Sequence, residues 1–438
     1  MTSAFSCRVA SSKPWSAGAN FLGTLLLGSV LLLVTACSGD DEQPAAPSPE
    51  PSPATTTEVT VPGPGPSVSV SAPKPFAFVR LSATPEAWPI DRDIYGVLVY
   101  DSATGVVTVA AEAGGGSYWS SWLNETELLV RIDNSVALYN AASRSYRAFD
   151  LGFDFEGNVS AVVSPDGSLV AIGGRERDLV LADLRSMTYR VLSIRGRPGE
   201  WSPDSGWLLV QGPEGIDSVV DLARPDRPID LPDVSFYTGW LSGSRVFGIG
   251  RGGALVVDVL APSRPEVLPV VLDKIPGGNF SPGGTYFVAS TLHGDPADRR
   301  THMYTTAVYR LDTFERVAEF ENIAVCCGQT QGIWTSDSTH FVALRNACKD
   351  GESLVMVSVL GGSVTELAQA GTSQVAVSPD DRWVAYGAGR LYIVPADGSA
   401  ESRLVPLSGR YSGGVFNPKW SPDGRFIAFH LGGGDRCP

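Results

Sequence analysis

Residues 420–431 read WSPDGRFIAFHL. The proline fixes φ at the first corner of a tight turn, and the Asp-Gly pair supplies a polar position followed by one that accepts positive φ. The apolar run after the turn is typical of a half-buried β-strand. This stretch therefore predicts two antiparallel strands joined by a tight turn.

The same pattern recurs along the chain. Clear copies are VSPDG at 163–167, WSPD at 201–204, FSPGG at 280–284 and VSPD at 377–380, and less regular copies begin at Trp122, Trp240 and Trp334. The leading residues lie at positions 122, 163, 201, 240, 280, 334, 377 and 420, so that the spacings are 41, 38, 39, 40, 54, 43 and 43. A period of about 40 to 45 residues is that of a four-stranded propeller blade.

These residues resemble the TolB-like, WD40-like propeller repeats of bacterial envelope proteins, which carry a W-S-P-D-G turn. The resemblance covers residues 76–438 and implies an all-β fold. We expect a β-propeller of eight four-stranded blades, with seven blades as the alternative. We expect no counterpart in this sequence to the separate N-terminal domain that TolB carries before its propeller.

The last copy of the repeat contains only two predicted strands. This predicts how the ring closes. The runs 95–100 and 106–109 near the other end of the chain could supply its two missing strands. We therefore expect N- and C-terminal strands to share one blade, which would remove exposed sheet edges. The run 76–80 is one further strand that this count leaves unplaced.

The N-terminus has the features of an export signal. Residues 1–20 carry Arg8 and Lys13 without an acidic residue, and an apolar run of sixteen residues follows from Phe21 to Ala36. That run is short for a membrane-spanning helix, which needs about 20 residues, and suits a secretory signal at 1–36.

The signal run ends in Val34-Thr35-Ala36-Cys37, which resembles the lipobox of bacterial lipoproteins. The resemblance implies lipidation of Cys37 and anchoring on the extracytoplasmic face of the cell membrane, or in the outer membrane where one exists. An ordinary signal peptide, or an uncleaved anchor with an incidental cysteine, is the alternative. Residues 38–75 are rich in Pro, Ser and Thr, so that 37–75 is predicted to be a lipidated cysteine and a disordered tether before the propeller at 76–438.

The longest spacing marks an insertion with polar side chains. Residues 293–302 read HGDPADRRTH. They form a candidate binding loop, with a solvated surface loop as the plain alternative. Its candidate residues are His293, Asp295, Asp298, Arg299, Arg300 and His302. A metal site from His293, Asp295 and His302 is conceivable, but their spacing matches no established ligand pattern, so no metal or cofactor is predicted.

Four cysteines are expected on the same face of the propeller as this insertion. They are Cys326, Cys327, Cys348 and Cys437. Disulfides are expected in an exported chain, and a bridge from Cys326 or Cys327 to Cys348 is preferred. Four thiols allow three full pairings, and a four-cysteine metal site is less favoured because no CxxC spacing is present.

Several function classes are disfavoured. The formal net charge of -14 argues against nucleic-acid binding, which needs clustered Lys and Arg. The sequence has no G-x-S-x-G, H-E-x-x-H or G-x-x-x-x-G-K-[ST] motif, so no catalytic residue is predicted. We expect a lipid-anchored binding module at the cell envelope, whose partner is an envelope protein or a cell-wall component. A propeller lyase or hydrolase acting on an envelope polysaccharide or small substrate is the alternative.

Overall fold

The repeat folds as predicted into an all-β propeller. The computed structural model describes residues 69–80, 96–112, 120–132, 135–152, 159–213, 217–232, 236–250, 253–267, 278–294, 302–325, 333–347, 351–369, 374–407 and 414–432. These residues form eight sheets of antiparallel strands and contain no helix. Within those ranges, accordingly, no helix is long and apolar enough to cross a membrane.

The five motif turns in which an Asp stands two residues after a Ser or Thr are built by the same local hydrogen bonds. Ser164 Oγ donates to Asp166 Oδ1 at 2.7 Å and accepts the backbone N–H of Leu169 at 2.9 Å. The residue after the Asp takes positive φ, as in Gly167 at 68°. Where the motif lacks that glycine, Ser205 adopts the same conformation at 59°. The turn therefore starts the second strand of a blade at a fixed position.

Seven blades are continuous in sequence. Blade 1 has strands Ser120–Trp122, Glu127–Ile132, Ser135–Asn140 and Ser145–Asp150; blade 2 has Val159–Val163, Leu169–Gly174, Arg177–Asp183 and Thr188–Arg195; blade 3 has Arg197–Trp201, Trp207–Gln211, Asp217–Asp221 and Ile229–Asp230; blade 4 has Phe236–Trp240, Arg245–Gly250, Gly253–Asp258 and Glu266–Val267. Blade 5 has Gly278–Phe280, Tyr286–His293, Met303–Arg310 and Arg316–Glu321; blade 6 has Ile323–Ala324, His340–Arg345, Ser353–Ser358 and Val364–Ala368; blade 7 has Val375–Val377, Trp383–Gly387, Leu391–Pro395 and Arg403–Leu404.

Blade 8 combines the two ends of the propeller, which confirms the predicted closure. Its strands run in the order Gly414–Trp420, Phe426–Gly432, Gly96–Asp101 and Val106–Glu112. The central pairing places Gly96 opposite Leu431 and Asp101 opposite Phe426. Arg425 adds a surface ion pair to Asp101 at 3.0 Å.

The unplaced N-terminal strand is a fifth, outer strand. Ala77–Arg80 pairs with the last strand of blade 1, and Lys74–Pro75 pairs with the last strand of blade 2. Phe76 lies between these pairings, is buried, and stacks on Phe149 with ring centroids 5.6 Å apart. We call residues 69–80 the strap. Its first seven residues belong to the stretch that the sequence analysis assigned to the tether.

The core lies between neighbouring blades. One apolar cluster joins Leu209 and Val219 of blade 3 to Val246 and Leu255 of blade 4. Motif tryptophans take part in this packing, since Trp201 and Trp240 are both more than 90% buried between blades. Such packing of one sheet on the next holds the ring together.

The strand alternation defines two faces. The turns between first and second strands, and between third and fourth strands, lie on one side, which we call the turn face. The loops between second and third strands, and the links between blades, lie on the other side, which we call the loop face. His293 and His302, the first and last residues of the insertion, lie at the loop-face ends of the second and third strands of blade 5.

Candidate functional site

The two histidines of the predicted binding loop have different environments. His293 is exposed, and its Nε2 lies 3.1 Å from Thr305 Oγ1. His302 is buried with its ring edge-on to Tyr304. Across the described ranges no group of three or more His, Cys, Asp or Glu side chains could hold a metal ion.

The other predicted site residues lie outside the part of the chain that the structure describes. Asp295, Asp298, Arg299 and Arg300 lie outside the described residues, as do all four candidate disulfide cysteines, Cys326, Cys327, Cys348 and Cys437. Cys37 also lies outside them. Their roles therefore stay predictions.

Buried polar atoms that lack a hydrogen-bond partner mark the loop face. Such atoms are Ser160 Oγ, Arg197 Nε, Asp217 Oδ1 and both ring nitrogens of His302. All four residues lie at or beside the loop-face ends of their strands, whereas Trp334 Nε1 is a comparable atom near the turn face. A buried polar group without a partner costs free energy, so each needs a water, an ion or a ligand to explain it.

Blade 3 carries two of these groups in one row. Arg197 pairs in register with Gln211, and Gln211 pairs with Asp217. Residues directly opposite each other on adjacent strands project from the same face of a sheet, so the three side chains form a row. Burial raises the pKa of Asp217 to about 6.

Glu200 lies on the innermost strand of the same blade. It is half-buried, and burial raises its pKa to about 7. A β-carbon placed on Gly239 of blade 4 would lie 2.7 Å from Glu200 Oε2, so the carboxyl group reaches the neighbouring innermost strand. A carboxyl group with a pKa near neutrality can exchange protons at physiological pH.

A second group of buried polar residues lies where blades 8 and 1 meet. Lys419 Nζ donates to the backbone carbonyl of Ser120 at 2.8 Å, and Ser120 Oγ is hydrogen-bonded to His430 Nε2 at 2.9 Å. Burial lowers the pKa of Lys419 to about 8. Burial, and secondarily the Lys419 charge, lower the pKa of His430 to about 3, so its imidazole is neutral at pH 7.

The Ser120–His430 pair resembles a nucleophile beside its base, but it is closed to substrate. Ser120 is 3% exposed and His430 is 1% exposed. His430 also packs edge-on against Phe416. We therefore assign this group to ring closure rather than to catalysis.

The turn face carries a cleft of about 500 Å³ between blades 1 and 2. Leu138, Leu184 and Met187 contribute its apolar surface. Its charged rim consists of the pairs Arg147–Glu127 and Arg185–Asp166, so the charges are already neutralised within the protein. It has none of the buried unpartnered atoms that mark the loop face.

Four residues of these groups were not predicted from the sequence: Arg197, Glu200, Asp217 and Lys419. Two of them had a signal in the repeat, because Glu200 and Lys419 each stand directly before a motif tryptophan. The same repeat position is Ser121, Val162, Gly239, Asn279, Ile333 and Ala376 in the other blades. A charge at an otherwise uncharged repeat position could have identified both residues.

Comparisons with known proteins find similar solved structures only. No protein-family model matches the chain, and no curated protein matches it. Among solved structures, an oligogalacturonate lyase in complex with manganese is 11% identical, with 84% of this chain and 98% of that chain covered and a TM-score of 0.46.

Two other similar structures are propellers of different sources. The Cps50 (Swd1) β-propeller domain of Myceliophteria thermophila is 16% identical over 61% of this chain and 95% of that domain, with a TM-score of 0.43. A protein described as TolB of Agrobacterium tumefaciens is 13% identical over 78% of this chain and 98% of that chain, with a TM-score of 0.36. These likenesses concern the fold alone, and the assignment of eight blades rests on the strand pairing described above.

Proposed function

We propose that this chain is an exported, lipid-anchored β-propeller that acts by binding through its loop face. The observation that carries the proposal is the position of Arg197, Asp217 and His302, whose buried unpartnered atoms lie at the loop-face ends of three different strands. A ligand seated on that face would supply the missing hydrogen bonds. Loops gathered from several blades make a concave surface that can bind without a catalytic motif.

The cell envelope is the proposed place of action. The support is the lipobox-like sequence at 34–37 and the Pro/Ser/Thr-rich stretch after it. The resemblance of the repeats to TolB-like proteins supports an envelope protein or a cell-wall component as the partner. The acidic net charge of -14 supports a partner other than nucleic acid.

Affinity purification from crosslinked membranes tests the binding face. The tagged full-length chain is compared with a loop-face variant carrying D298S, R299S and R300S and with a turn-face variant carrying E125S and R185S. We expect mass spectrometry to find a stoichiometric partner with the wild type and the turn-face variant, but not with the loop-face variant. A partner lost only with the turn-face variant, or no envelope partner at all, would overturn the proposal.

A propeller lyase or hydrolase acting on an envelope polysaccharide is the second candidate. The observation that favours it is Glu200, because a pKa of about 7 suits a general acid or base near neutral pH. The test is incubation with purified envelope polysaccharides and detection of shortened products by mass spectrometry. Products that form with the wild type and vanish with E200Q would favour the enzyme; products that persist with E200Q would exclude this residue.

A further inference from the structure

The row formed by Arg197, Gln211 and Asp217 faces blade 4. Leu209 pairs with Val219, and both belong to the apolar cluster shared with blade 4. Gln211 lies two residues from Leu209, and Asp217 lies two residues from Val219. Side chains two residues apart on a strand share a face of the sheet. The row is therefore the loop-face continuation of the interface between blades 3 and 4.

The second and third strands of blade 4 carry glycine at the same level. Val246 and Leu255 point toward blade 3 within the shared cluster. On the strand of Val246, the next residues on this face toward the loop face are Gly248 and Gly250. On the strand of Leu255, the next such residue is Gly253, which pairs with Gly250. Along these two strands, the interface thus changes from apolar packing at the turn-face end to a polar row against glycine backbone at the loop-face end. We call this place the blade 3–4 slot.

The slot has hydrogen-bonding capacity that the protein leaves unused. Arg197 Nε and Asp217 Oδ1 are buried and have no partner. The two residues do not pair with each other, because Gln211 and its strand separate them. Arginine can only donate, carboxylate can only accept, and the glutamine amide between them can do both.

From this arrangement we propose that the blade 3–4 slot binds a neutral sugar unit of an envelope glycan, of the N-acetylhexosamine class. The inference rests on the proposed function and names its ligand class. Hydroxyl and acetamido groups both donate and accept hydrogen bonds, so one sugar can accept from Arg197 and donate to Asp217. Glycine on the second and third strands of blade 4 lets a sugar ring approach their backbone closely.

The charge of the row favours a neutral ligand over an ion. One arginine and one ionised aspartate give a formal charge of zero. An anion that accepts from Arg197 would be repelled by Asp217, and a cation that binds Asp217 would be repelled by Arg197. For either ion, the repulsion at one end of the row would offset the attraction at the other end.

Binding to three tetrasaccharides of different charge tests the proposal. The probes are neutral N-acetylglucosamine tetramer, cationic glucosamine tetramer and anionic galacturonate tetramer, titrated by calorimetry at pH 7 into the full-length chain in detergent. We expect the neutral tetramer to bind at least tenfold more tightly than either charged tetramer. D217N and R197M are each expected to weaken that binding at least tenfold.

The control variants are R316M and E319Q, which change an exposed ion pair on the outer strand of blade 5. We expect both to bind the neutral tetramer as the wild type does. Far-UV circular dichroism verifies that each variant is folded, and D217N keeps the test valid if R197M does not fold, since it preserves the shape of the side chain. Absent binding of the neutral tetramer, preference for a charged tetramer, or unchanged binding by a folded D217N would each overturn the proposal.

This test and that of the proposed function can fail separately. If the neutral tetramer does not bind but the crosslinked membranes yield a partner that depends on the loop face, the slot proposal falls and the binding function stands. If the tetramer binds through Asp217 while no protein partner is recovered, a cell-wall component becomes the partner and the slot proposal stands.

Discussion

The indole Nε1 of Trp122 donates a 3.0 Å hydrogen bond to the backbone carbonyl of Lys419, 297 residues away. The bond joins blade 1 to blade 8 on their innermost strands. The same relationship links Trp201 to Val162, Trp240 to Glu200 and Trp420 to Ala376. In each case, a tryptophan ends the innermost strand of one blade. Its indole N–H donates to the backbone carbonyl of the second-last residue in the innermost strand of the preceding blade.

The first prediction concerns this bond. W122F removes the indole donor while keeping an aromatic ring, so it leaves the Lys419 carbonyl without that partner. We expect the free energy of unfolding to fall by about 1–2 kcal/mol, as measured by urea denaturation. The control is W383F, since Trp383 is 38% exposed. Equal losses in both variants would contradict a specific role for the Trp122 bond.

The second prediction concerns the pH dependence that Glu200 causes. Its pKa is raised to about 7 in the folded chain. Between pH 4.5 and 7 the unfolded chain loses this proton while the folded chain keeps it, so stability falls as pH rises. We expect the wild type to lose about 2 kcal/mol between pH 5 and 8 relative to E200Q. Thermal unfolding across this range measures it, and E319Q, at an exposed position, should follow the wild type.

The third prediction concerns the motif aspartates. Hydrogen bonds from Thr335 and Thr339 lower the pKa of Asp337 to about 2. The ionised carboxylate therefore contributes stability above about pH 4, and this contribution is lost as pH falls toward 2. Because Asp337 is exposed, we expect D337N to cost only about 1 kcal/mol at pH 7 and nothing at pH 2. A cost that persists at pH 2, or an equal effect of D312N on the neighbouring blade, would contradict this.

The fourth prediction concerns the strap. Phe76 is 7% exposed and fills the outer gap between blades 1 and 2 beside Phe149. F76A leaves a cavity there, and we expect it to cost about 3 kcal/mol. Limited proteolysis should then cut within residues 69–80 faster than in the wild type. Unchanged cleavage would show that backbone pairing alone holds the strap.

The fifth prediction concerns the N-terminal cysteine. If Cys37 carries a lipid, C37S abolishes labelling of the chain by a fatty-acid analogue and releases it from membranes. Labelling is read by gel fluorescence after metabolic incorporation. The control is C7S, because Cys7 lies within the predicted signal segment. Labelling that survives C37S would contradict the lipobox assignment.

The sequence predicted the blades because their turns are local. Ser164 and Asp166 form their turn from hydrogen bonds within five residues, so a short motif is enough to show it. The place of Phe76 could not be predicted in this way, because its strand pairs with residues about 70 and 110 positions further along. The raised pKa values of Asp217 and Glu200 likewise could not be predicted, because they depend on burial of the two carboxyl groups by other strands.

Closure by blade 8 also has a consequence for the timing of folding. Strand Gly96–Asp101 is synthesised long before its partner Phe426–Gly432. At about 5–20 residues per second, the roughly 330 residues between them take on the order of tens of seconds. During that time the apolar Val97, Leu98 and Val99 have no sheet partner on that edge. A chain that emerges N-terminus first thus needs protection for this strand until Phe426–Gly432 has been made.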